Sequence, residues 1–140
     1  MNSTTLRTLI AVVLFVHGIG HLQGVIAALG LQATEHWHAR SWLFTDLLGE
    51  SGGRILALVV WLASSIAALA AGLGLLGWLV PHPWWRAAAI LSAITSSFGL
   101  VFYWHSLAMV FNKVGAIAVN LAILVSLVLL SWPPEAALGF

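Results

Sequence analysis

Cysteine is absent from this chain, which excludes disulfide exchange, iron–sulfur ligation and thiolate metal sites. It leaves the redox compartment open. Charge is scarce as well: 6% of the 140 residues are charged, against 61% hydrophobic. A soluble domain has about a quarter of its residues charged, so this surface is not built for water. With a net charge of +1 and no run of Lys or Arg, neither nucleic-acid binding nor a polybasic lipid anchor is indicated. There is no Gly-x-Ser-x-Gly, no His-Glu-x-x-His and no phosphate-cradling loop, so intramembrane hydrolysis has no candidate machinery.

What the chain has in quantity is long apolar runs. They predict one all-α domain, a polytopic membrane protein built as a four-transmembrane-helix bundle. The spans are expected at about 8–31, 54–80, 85–111 and 114–132. A signal peptide is the competing reading of the N-terminus, but the apolar run is long for that, and it is read as a true first helix. Ser41 to Leu48 reads as an amphipathic piece lying at the interface in the first loop, with Trp42 as anchor and Gly49, Gly52 and Gly53 breaking it. The third helix could end at Trp104; the apolar stretch Leu107–Phe111 favours continuation to Phe111. In the second, Ala63, Ala67 and Ala71 recur every four positions, a spacing that lets helices approach closely in lipid. No Asp or Glu falls within any expected span, which speaks against a carboxylate-based pump. Arg7 and Arg86 on the terminal side against Arg40, Arg54 and Lys113 on the other leave the orientation undecided.

One stretch stands apart: Val16 to Gly24, Val-His-Gly-Ile-Gly-His-Leu-Gln-Gly. His17 and His21 are four apart and share a helical face. Ionisable side chains inside a bilayer face a bundle interior, a cavity or a cofactor. At 1.5 Å per residue, His21 and His105 sit about 15 and 9 Å inside the ends of their expected helices, and could share a depth.

Three functional readings follow. Histidines on two helices could ligate haem or another tetrapyrrole, with the nearby glycines leaving room for a flat ring. His21, His36, His38 and His105 could hold a metal, although a His-x-His pair does not share a helical face. A histidine could hydrogen-bond a quinone and relay its proton, with Trp104 in an aromatic wall and Gln23 nearby. Against these stands plain helix glue, in which His17 and His21 bond backbone carbonyls, Ser64, Ser65 or Asn120. Gly20-x-x-x-Gly24 would bring another helix close, Trp61 would face lipid or core, and Asn120 would bond between helices.

Leu6-Arg7, Leu14-Phe15-Val16-His17-Gly18 and Gly20-His21-Leu22 resemble the opening of the DoxX-like family of small four-helix bacterial membrane proteins. The likeness covers about the first 25 residues and the overall hydropathy; the segment Glu35–Gly53 departs from it. One branch of that family is a membrane subunit of a thiosulfate:quinone oxidoreductase, so the resemblance implies a quinone-linked or accessory redox subunit. The expectation is a multi-pass protein of the bacterial inner membrane, in contact with lipid and with other membrane subunits or a second copy. It binds a quinone or tetrapyrrole near His17, His21 and His105. The alternative is a structural or assembly subunit with no ligand of its own; a small-solute transporter is disfavoured because no internal repeat is visible.

Overall fold

A computed structural model describes residues 2–32 and 34–140. They form helices α1 (Ser3–Gly20), α2 (Leu22–Leu29), α3 (Phe44–Leu76), α4 (Trp85–Phe102), α5 (Val110–Leu124) and α6 (Glu135–Leu138). Short 3₁₀ turns at His82–Trp84 and Trp104–Ser106 and a π-helical turn at Val125–Leu129 join or extend them. Four helical stretches are long and apolar enough to cross a membrane: Ser3–Leu29, Phe44–Leu76, His82–Phe102 and Val110–Leu129.

The side chain of Asn2 caps α1 by accepting from Thr5 N–H at 2.8 Å, which satisfies one of the donors a helix start leaves free. At His21 the rod hitches: Gly24 N–H reaches only to His21 O, at 3.0 Å, and α2 continues to a left-handed cap at Gly30. Central to the bundle is α3, packed against α1, α2 and α4, whereas α5 leans on α4 and scarcely touches α1.

Serines make the close contacts. Ser64 Oγ donates to Ser92 O at 3.1 Å and Ser92 Oγ returns to Ser64 O at 2.9 Å, stitching α3 to α4. Ser65 Oγ donates to Gly18 O at 2.7 Å and ties α3 to α1. Trp61 is fully buried, its indole wedged between Gly24 of α2 and Gly99 of α4. A Cβ on either glycine would overlap the ring.

The first loop meets expectation in part. Phe44–Leu48 is a short helical piece set off from the rest of α3 by a kink at Gly49, whose φ of 73° and ψ of 171° are non-helical and suit glycine, so Gly49 breaks the segment as expected. Gly52 and Gly53 lie within the helix. Phe44 packs on Phe98 and Phe102, with ring centroids at 5.7 and 5.1 Å, so this turn docks on α4 through an aromatic cluster; Trp42 stays exposed.

The third span also ends sooner than the favoured Phe111. It stops at Phe102, and α5 begins at Val110. The cause is long-range. Trp37 Nε1 donates to Ser106 O at 2.8 Å and His38 N–H to His105 O at 3.0 Å. These carbonyls would otherwise accept the N–H groups of the next helical turn. Tyr103 turns inward, fully buried, and donates its hydroxyl to Gly53 O at 3.0 Å.

Gly24→Val and Gly99→Val should each lower stability by roughly 1–3 kcal/mol through overpacking on Trp61. Gly115→Ala, which meets nothing within 4 Å, should not. Thermal unfolding in detergent measures this, and Trp61→Leu added to Gly24→Val should recover part of the loss. Equal stability of all variants would remove the wedge from the account.

Candidate functional site

His17 and His21 are buried, at 7% and 1% exposure. Their Nε2 atoms are 3.0 Å apart and their rings meet edge-on at 73°. A neutral imidazole carries one N–H and one lone pair. Nε2 facing Nε2 therefore requires one ring as the Nε2–H tautomer and the other as the Nδ1–H tautomer. The pair ends in one Nδ1 acceptor and one Nδ1–H donor.

The helix and its neighbours hold the two rings in place. Four-residue spacing stacks them on one face. Trp61 backs His21, with centroids 5.4 Å apart. From α5, Asn120 approaches His17 while its Nδ2 donates to Ser96 Oγ at 2.9 Å and Ser97 Oγ at 3.2 Å. Asn120 Oδ1 is buried with no hydrogen-bond partner. His17 is 14 residues from Ser3 and 12 from Leu29, the ends of the first apolar stretch, about 21 and 18 Å at 1.5 Å per residue. The dyad is at mid-height.

In front of it, α1 and α5 part to leave a cleft of about 400 Å³. Both histidines line it with Val16, Gly20, Leu107, Asn112 and Gly115. Most of the wall is apolar. Such a cavity lies within the range of small-molecule sites, where apolar walls supply contact and a few polar groups fix orientation.

The other expected site residues lie elsewhere. His105 faces His38, centroids 5.0 Å apart, where the first loop meets the 3₁₀ turn after α4. The depth match with His21 assumed a continuous third helix, which the break at Tyr103 removes. His36 is exposed. Trp104 lies under Lys113, whose Nζ is 4.9 Å from the ring centroid. Gln23 is structural: its Oε1 accepts from Asn112 Nδ2 at 2.9 Å and Ala108 N–H at 3.3 Å, pinning α2 to the start of α5. Among the described residues no three His, Asp or Glu side chains gather as a metal site; of the four expected, His38 and His105 meet each other while His21 pairs with His17. Asn120 bonds between helices as expected. Trp61, left open between lipid and core, is in fact the dyad's rear wall; Gly24 at close-packing spacing was its signal in the sequence.

Outside the spans, His38 is held below the ordinary imidazole range, first by burial and then by its neighbours His105, Arg40 and Lys113. A histidine with a depressed folded pKa favours folding in its neutral form, so its contribution is present above about 6.5 and is lost as pH falls below that. The His38 N–H to His105 O bond should exchange with deuterium faster, relative to the α3–α4 core, at pH 5 than at pH 7.5. His38→Asn should flatten that dependence. Uniform pH response across the protein would contradict the assignment to His38.

No protein-family model, no curated protein and no solved structure matches this chain.

Proposed function

We propose that this is a multi-pass protein of the bacterial inner membrane, an accessory redox-associated subunit. It binds a quinone or its hydroquinone in the cleft between α1 and α5. The observation that carries the reading is the His17–His21 pair, buried at mid-height, hydrogen-bonded within itself and lining an apolar cavity. The two imidazoles sit on one continuous apolar stretch, so the bond between them glues no helix to another. Interhelical bonding falls to Ser64, Ser65, Ser92 and Asn120. That weakens the purely structural reading of His21; His17, which Asn120 of α5 approaches, serves both readings.

A quinone suits the site better than a tetrapyrrole. The Nε2 atoms that would ligate iron are turned toward each other, and His105 is not at hand as a second axial ligand. Asn120 Oδ1 lacks a donor and its side chain approaches His17, so the Nδ1–H tautomer of His17 is the one that would offer it a donor. That choice makes His17 Nε2 the acceptor and His21 Nε2–H the donor. It leaves the Nδ1 lone pair of His21 to accept from a hydroxyl of the hydroquinone. When a partner subunit withdraws the two electrons that turn hydroquinone into quinone, the proton of this hydroxyl passes to that imidazole, a task for which histidine is suited, and the proton of the second hydroxyl leaves to water. The resemblance of the first helix to DoxX-like proteins agrees with this reading.

Binding of a ring-only naphthohydroquinone, kept reduced under argon, can be followed calorimetrically in detergent. His21→Ala should weaken it roughly three- to tenfold, the worth of one hydrogen bond in apolar surroundings, and Asn120→Leu should do so less. No binding, or binding indifferent to His17→Ala and His21→Ala, would remove the proposal. A Soret band in gently purified protein, lost in those variants, would move it to a tetrapyrrole.

A further inference from the structure

The cleft does not end at the dyad. A second cavity of about 240 Å³ opens toward the terminal end of the bundle, between α1 and the π-helical turn that follows α5. It shares Val13 and Val119 with the first, so the two adjoin along one furrow between α1 and α5. Their linings differ. The first carries His17, His21 and Asn112. The second is almost wholly apolar, walled by Leu9, Leu14, Ala122 and Leu127 and closed by Trp85 and Trp132. From His17 to Leu9 is eight residues along α1, about 12 Å.

Two local features keep the furrow open. The small side chain of Ala122 faces it. The α-helix gives way to a π turn over Val125–Leu129, which widens the backbone where α5 would otherwise continue straight; such bulges are frequent at functional sites. Across the furrow, α1 and α5 make little direct contact. A polar end and an apolar arm in one groove describe a ligand of the same form.

We infer that the site takes a long-chain hydroquinone or quinone. Its ring lies at the histidines, and its polyprenyl chain lies along Val13 and Val119 toward Trp85 and Trp132. This rests on the quinone reading of the dyad. The chain leaves an environment of lipid tails to enter the furrow, so its gain is closer packing and not transfer from water.

Ring-only naphthohydroquinone and the same ring bearing a polyprenyl chain are to be titrated into detergent-purified wild type, Ala122→Phe, Val119→Phe and His21→Ala. Ala122 is exposed in the furrow, so a larger side chain there fills the groove without entering the core. Wild type should bind the chain-bearing form roughly tenfold tighter, a gain of the size that a run of packed methylenes supplies. Ala122→Phe should abolish that difference and leave ring-only binding unchanged, and Val119→Phe should act in the same direction. His21→Ala should weaken both forms by the same factor. Equal affinity of the two forms for wild type, or loss of both in Ala122→Phe, would overturn the chain assignment and leave the dyad as a ring site filled out by membrane lipid. Binding of neither form to wild type would overturn both.

Discussion

The indole of Trp61 is the contact on which the rest of the arrangement depends. It needs glycine on both sides, Gly24 on α2 and Gly99 on α4, and so fixes how closely three helices approach the same point. Its ring also backs His21. The position of the dyad therefore follows from a packing contact made by residues with no chemistry of their own. The helix hitch at His21 falls beside that wedge, where α1 gives way to α2.

Around it, most polar groups of the spans find partners within the protein, as an apolar surrounding demands; the Nε1–H of Trp61 itself is buried without one. Serine hydroxyls answer backbone carbonyls on facing helices, and Asn120 answers two serines of α4. The histidines are different. They answer each other, and once the Nδ1–H tautomer of His17 is matched to the unpartnered Asn120 Oδ1, the outer nitrogen of His21 is what remains for a ligand. Residual hydrogen-bonding capacity beside a cavity marks a binding site better than the presence of histidine alone.

Much of this was legible in the residues. Four apolar stretches gave the four long helices, and four-residue spacing put His17 and His21 on one face. Gly20-x-x-x-Gly24 was half informative: Gly24 receives Trp61, while Gly20 meets nothing and opens on the cleft. The misreadings share one cause. Hydropathy carried the third helix to Phe111 because nothing local in Leu107–Phe111 forbids it. The break is imposed by Trp37 and His38 from a loop some seventy positions away. A continuous third helix would carry His105 to the depth of His21; the break sets it beside His38. The cleft was not legible at all, since it arises where α1 and α5 fail to pack.

The central claim is that the two imidazoles share one N–H, with His17 as the Nδ1–H tautomer and His21 as the Nε2–H tautomer. Solid-state ¹⁵N NMR of histidine-labelled protein in lipid, with His17→Ala and His21→Ala for assignment, tests it directly. The account predicts one ring of each tautomer and a through-bond coupling between the two Nε2 nuclei. Two rings of the same tautomer, with no such coupling, would contradict it.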